Sequence, residues 1–121
     1  MSQHLELGAI IDEAFGDNLD SPVEQTQDAM IVHLKNGVTL NVRYATPDAY
    51  SLRWVYGDAT SGIDTAPLHP GLATFPNHLH DAAGHIVADP ITRADTSPAD
   101  NLSCLIRALL DDPMLGIPVL T

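Results

Sequence analysis

Four of the six histidines in the chain lie between positions 69 and 85: His69, His78, His80 and His85. The string from Asp64 to His80 reads DTAPLHPGLATFPNHLH. In an extended segment His78 and His80 point to the same side, because side chains alternate along a strand. Two imidazoles so placed can work as an acid and a base, or can hold one metal ion. Histidine suits both tasks, since it titrates near neutrality and its neutral ring is a metal ligand. Asp64 and His69 are near enough in sequence to join them if the loop folds back. As a metal set, Asp64, His69, His78 and His80 offer nitrogen and oxygen donors that fit a divalent ion such as zinc or manganese. The competing expectation is a solvated, proline-rich turn whose histidines only make local hydrogen bonds. An H-x-H pair is a far weaker metal signal than H-E-x-x-H.

These residues need a scaffold, and the sequence supplies an α+β one. The clearest element is a β-hairpin over 29–44, MIVHL-KNG-VTLNV at its centre. A two-residue Asn36-Gly37 turn would put the apolar sets of its two strands on opposite faces. A three-residue Lys35-Asn36-Gly37 loop with a left-handed Gly37 pairs Leu34 with Val38, Val32 with Leu40 and Met30 with Val42. Register follows the buried face, so the three-residue loop is expected. His33, Thr39, Asn41 and Arg43 then share the polar face. A strand over 49–57 follows, with Tyr50, Leu52, Trp54 and Tyr56 on its apolar side. If it pairs with the hairpin, Arg53 joins Arg43 on an open face, as antiparallel sheets allow.

The density of prolines over 64–90 (Pro67, Pro70, Pro76, Pro90) forbids a helix there and predicts extended, irregular chain with a short strand near His85–Val87. Helices are expected at either side of the sheet. Leu7, Ile10, Ile11, Ala14 and Phe15 recur at helical spacing over 3–15, with Gly16 as a stop. Near the other end Ser97 is a cap, Pro98 a first helical residue, and Leu102, Leu105, Ile106, Leu109 and Leu110 a core stripe over about 98–111. Cys104 falls off that stripe. The length of 121 residues predicts a single domain over 1–121.

Composition narrows the class. The formal net charge is −11, with 16 acidic residues against 5 Lys and Arg. The acidic residues are spread along the chain, which reads as a surface adapted to high salt, and a salt-loving archaeal source would account for it. A docking surface for a basic partner is the other reading. A nucleic-acid binder normally carries a basic patch, so Lys35, Arg43, Arg53, Arg93 and Arg107 argue against a nuclease unless very few cations suffice. The single cysteine rules out an intrachain disulfide. No bilayer-spanning run and no signal peptide are visible, so a cytoplasmic protein without a membrane role is expected.

The blocks G-I-D-T-A-P-L-H-P at 62–70 and F-P-N-H-L-H at 75–80 resemble paired motifs of the TumE-like toxin family, which run close to R-W-D-N-A-P-H-H-P and F-P-H-H-K-H. The matching positions are Asp64, Ala66, Pro67, His69, Pro70, Phe75, Pro76, His78 and His80. The order of elements around them also fits, over roughly 28–112. Leu68, Asn77, Gly62, Ile63 and Leu79 stand where the family has other residues.

The resemblance implies the toxin of a prokaryotic type II toxin–antitoxin module, with a cognate antitoxin as partner. Cutting RNA is the chemistry inferred for it. Metal-free cleavage needs a base, an acid and a cation for the phosphorane. His78 and His80 would be the acid–base pair, His69 a support, Asp64 an orienting group, and Arg43 and Arg53 the phosphate holders. Two alternatives stay open: a metal-binding domain with the ligand set above, and a non-catalytic interaction module that docks a partner through the Asp64–His80 segment. RNA and a second copy of the chain are further candidate partners.

Overall fold

The computed structural model describes residues 3–115. Its centre is a seven-stranded antiparallel sheet in which every strand pairs with its neighbours in sequence, in the order β1 to β7. The strands are β1 (Glu24–Gln25), β2 (Met30–His33), β3 (Thr39–Thr46), β4 (Ala49–Tyr56), β5 (Ala59–Asp64), β6 (His78–His80) and β7 (Ile86–Ala88). Helices α1 (Gln3–Phe15) and α2 (Pro98–Asp111) flank them in sequence. The α+β reading therefore holds.

The hairpin register follows the buried face. Met30 pairs with Val42 and Val32 with Leu40, and Leu34 N–H donates to the Val38 carbonyl at 2.9 Å. Gly37 takes the left-handed conformation the three-residue loop requires, at φ 98°. Asn36 in that loop does more than turn the chain. Its side-chain amide donates to the Leu109 carbonyl at 2.9 Å and its oxygen accepts from Val38 N–H. A helix end leaves carbonyls without intrahelical donors, so the hairpin tip supplies one to the last turn of α2.

One face of the sheet carries Met30, Val32, Leu40, Val42, Leu52, Trp54, Ile63 and Leu79, and these join the helices in a continuous apolar core. From α2 come Leu102, Leu105, Ile106 and Leu109, each fully buried. Ser97 Oγ accepts from Asp100 N–H and Pro98 opens the helix, as its sequence predicts. Cys104 is exposed, off the stripe. In α1 the buried stripe is narrower than expected. Leu7, Ile11 and Phe15 face the core, whereas Ile10 and Ala14 are exposed. A residue one position from the stripe rotates about 100° away from it. Phe15 also receives the guanidinium of Arg107, 5.8 Å from its ring centroid, which ties α1 to α2. Tyr56, expected on the apolar side of its strand, lies exposed beside the β4–β5 turn. Among the described residues no helix is long and apolar enough to cross a membrane.

The other face is open. Cross-strand register puts Arg43 opposite Ser51, and Asn41 opposite Arg53. Ser51 in turn pairs with Asp64, and Arg53 with Gly62. Gly62 then pairs with His80, and Asp64 with His78. Because residues paired across an antiparallel ladder share a face, all of these project from the same open side.

Candidate active site

The proline-rich segment leaves the sheet after β5 and returns as β6. The return is pinned by a buried polar network around Asn77. Its amide donates to the Tyr50 hydroxyl at 2.8 Å and to Asp89 Oδ2 at 3.2 Å. Thr92 Oγ1 donates to the same carboxylate oxygen. The Tyr50 hydroxyl lies 2.8 Å from Thr92 Oγ1. Since the Thr92 proton goes to Asp89, Tyr50 is the donor to Thr92. The other Asp89 oxygen accepts from the backbone N–H groups of Ile91 and Thr92. Burial pushes the Tyr50 phenol above its ordinary value, so it serves as a neutral donor. Asn77 Nδ2, the Tyr50 and Thr92 hydroxyls and both Asp89 oxygens each have a partner, as buried groups require. Asn77, which departs from the family motif, is thus the anchor that sets the entry to β6.

β6 then aims its two histidines at Asp64. His78 Nε2 lies 3.0 Å from Asp64 Oδ1, and His80 Nε2 lies 3.2 Å from Asp64 Oδ2. The two Nε2 atoms are 2.9 Å apart. His78 Nδ1 faces the Pro76 carbonyl at 3.1 Å. A carbonyl can only accept, so Nδ1 carries a proton, and in the neutral ring Nε2 presents its lone pair to the cluster. The two rings differ in access. The His78 side chain is 1% exposed, whereas that of His80 is 44% exposed. Asp64 Oδ1 also accepts from Ala66 N–H, which fixes the carboxylate in the turn after β5.

His69 packs edge-on against the His78 ring, with centroids 4.8 Å apart. It buttresses that ring, while the converging ligand-type atoms come from Asp64, His78 and His80. His85 sits elsewhere: its Nδ1 and backbone N–H both meet the Asp81 carboxylate that closes the β6–β7 turn.

The cluster opens onto a cavity of about 400 Å³ lined by Ser51, Arg53, Thr60, Ser61, Gly62, Asp64 and His80. Gly62 makes room for it. A Cβ at this position would stand 3.3 Å from Arg53 Cγ and 3.3 Å from the Leu52 carbonyl oxygen. Without one, the stem of Arg53 lies against Gly62, and Arg53 and His80 line the same cavity. Arg43 lines a neighbouring depression with Arg53, Ser51, Asn41 and Thr60. Both arginines are exposed, and among the described residues neither makes an ion pair. A roomier hollow between 73–77 and 89–95 lies behind Asn77 and is lined by no histidine.

The sequence profile of the family described as "Toxin TumE" matches residues 8–111. The chain belongs to the TumE toxin family. The match takes in α1 from Gly8 onward, the whole sheet and α2 as far as Asp111, and therefore every residue of the cluster. A TumE toxin implies an antitoxin as partner. No curated protein and no solved structure shows significant similarity to the chain.

Leu68, Gly62, Asn77 and Leu79, four of the five positions where this TumE member departs from the motifs it resembles, have separate fates, and the fifth, Ile63, is in the core. Leu68 is 71% exposed on the loop, and Leu79 is buried on the core face, pointing away from the histidines on either side of it. Gly62 and Asn77 shape and anchor the site. Sequence reasoning brought Asp64, His78 and His80 into one group. It missed Ser51 and Thr60 in the cavity wall and the Asn77–Asp89–Thr92 support. A faint signal for the last was present: Asp89-Pro90-Ile91-Thr92 is a composition in which an aspartate accepts from backbone N–H groups two and three residues on.

Proposed function

We propose that this TumE-family toxin acts by cutting RNA at the Asp64–His78–His80 cluster, with Arg53 and Arg43 holding the phosphate. One observation carries the reading: Arg53 lines the same cavity as Asp64 and His80. Phosphodiester cleavage needs positive charge at the non-bridging oxygens and an activating group beside the attacking and leaving oxygens. A guanidinium fork fits phosphate oxygens bidentately. In a chain of net charge −11, arginines left without carboxylate partners on one open face are suited to an outside anion. The cluster supplies the second requirement. His80 is the member that meets the substrate, while His78, buried and bound to the Pro76 carbonyl, is the fixed base of the arrangement. Asp64 binds both rings and sets their angle.

Few cations contact RNA in this scheme, so binding is weak and each arginine counts. Neutralising fewer phosphates also gives a shallow dependence of affinity on salt. That suits a surface built for salty surroundings, which the dispersed carboxylates support. The antitoxin, as in a type II module, would be a protein that covers this face.

The test is expression without the antitoxin, with growth and total RNA followed together. Wild type is expected to arrest growth and fragment RNA. His80→Ala and the double change Arg43→Gln with Arg53→Gln are expected to abolish both effects while the proteins stay folded by circular dichroism. Growth arrest with intact RNA, or RNA cleavage undiminished in both variants, would overturn the reading.

A further inference from the structure

We infer that Asp64, His78 and His80 form a binding site for one divalent transition-metal ion, zinc or manganese by donor type. The inference concerns the same cluster as the proposed RNA chemistry but stands on geometry alone, and it gives the histidines another role: Nε2 of His78 and of His80 would hold the ion, so neither would be free to act as a base.

The first argument is one of proton counting. The cluster has three close contacts: His78 Nε2 to Asp64 Oδ1 at 3.0 Å, His80 Nε2 to Asp64 Oδ2 at 3.2 Å, and His78 Nε2 to His80 Nε2 at 2.9 Å. A carboxylate brings no proton, and each ring nitrogen brings at most one to this space. If both nitrogens donate to Asp64, they meet each other as two N–H groups. If His80 donates to His78, the lone pair of His78 faces a carboxylate oxygen. Protons therefore satisfy at most two of the three contacts. A cation set among the donors satisfies all of them.

The second argument is the size of the figure the donors make. Ligand atoms about 2.1 Å from an ion and 90–109° apart lie roughly 3.0–3.4 Å from one another. The separations of 3.0 and 3.2 Å, one to each Asp64 oxygen, fall within that range and the 2.9 Å between the two Nε2 atoms lies just below it; one ligand atom from each residue lies within 4.8 Å of the others. The third is ligand preparation. His78 is fixed with its Nε2 lone pair inward by the bond from Nδ1 to the Pro76 carbonyl, which is how a ligating histidine is held in its tautomer. Two histidines and one carboxylate on one side of an ion leave its remaining positions open. Here those positions face the cavity that Arg53 lines, where a water or a phosphate oxygen could complete the shell. Magnesium, which prefers an all-oxygen shell, is a poor match for two imidazoles.

The experiment uses full-length protein purified without a histidine tag. Zinc, manganese and magnesium are titrated separately by calorimetry, with metal content measured after dialysis. One zinc or manganese ion per chain is expected, with magnesium much weaker. Asp64→Asn and His80→Ala are each expected to weaken binding at least about 100-fold. Nitrogen NMR of the histidine rings in wild type removes any dependence on how variants fold. Addition of zinc should shift Nε2 of His78 and His80 and leave the rings of His33 and His85 unmoved. No binding at roughly 100 µM metal, undiminished binding in both variants, or shifts centred on His33 or His85 would each overturn the site. RNA cleavage is a separate readout: metal bound without cleavage removes the nuclease and keeps the site, and cleavage without metal does the reverse.

Discussion

At the scale of single residues, the site depends on one missing side chain as much as on the histidines. Gly62 on β5 lies between Arg53 on β4 and His80 on β6, and a Cβ there would press on both the Arg53 stem and the Leu52 carbonyl at 3.3 Å. The backbone cannot yield, so Arg53 must move. Gly62→Ala is therefore expected to cost about 1 kcal/mol of stability, measured by urea denaturation, and to lower toxicity about tenfold in an induction titration. Gly71→Ala, with nothing within 4 Å of the added atom, should be silent in both measurements. Equal behaviour of the two variants would mean that the position of Arg53 does not matter. The legibility of the site divides along similar lines. That His78 and His80 share a side follows from strand alternation. Their pairing with Asp64 does not, because β5 and β6 are joined by a long proline-rich passage with no turn signature to set a register. Nor does the unequal burial of the two rings, which arises from His69 and the Pro76 carbonyl closing over His78.

At the scale of elements, sequence patterns specify best where a buried face and a turn agree. The hairpin and α2 were legible for that reason: one register buries all the apolar residues of the hairpin, and Ser97-Pro98 can only open a helix. β7 was legible only as a short strand, since nothing in its few residues marks their partner. The β6–β7 turn is held by Asp81, whose carboxylate accepts from the backbone N–H groups of Ala83 and His85 and meets the His85 ring. The His85 backbone bond is the chief cause that holds its pKa below the ordinary 3.8, with the His85 side-chain bond and the Ala83 bond adding to it. A depressed carboxylate contributes stability that is present above the unfolded value and is lost as pH falls through the folded one. Wild type is thus expected to melt above Asp81→Asn at neutral pH. The gap should close below pH 3.8, and thermal scans across pH 2–7 would check it. A gap that persists unchanged at the acid end would show that the bonds, and not the charge, are what the variant loses. Because this turn carries the strand that borders the histidines, Asp81→Asn should also loosen the site.

At the scale of the whole molecule, charge and topology pull in different directions. The net charge of −11 repels itself in dilute buffer, and screening relieves the repulsion at high salt. Raising potassium chloride from about 0.1 to 2 M is expected to stabilise the fold by about 1–2 kcal/mol, or roughly 5–10 °C in Tm, by calorimetry. A Tm that stays flat or falls would remove the argument for a salt-adapted surface. Much of the architecture follows from composition and periodicity at this scale: two amphipathic helices and a sheet with one greasy side. The consecutive order of the strands could not be read that way, because alternation tells which side a strand buries and not which strand lies beside it.

That consecutive order has a consequence for how the protein reaches its working shape. Each strand finds its partner in the stretch of chain just before or after it, so the sheet can close like a zipper through loops that are short except for the passage between Asp64 and His78, and the entropic cost is small. Contacts between distant parts of the chain come from packing outside the ladder: α1 against α2, the His4 ring on Tyr44 N–H, the Tyr50 hydroxyl with Asn77 and Thr92, and the hairpin tip at the end of α2. Speedy self-assembly is the expected result. A chain unravelled from end to end is therefore expected to bring Asp64, His78 and His80 back together unaided.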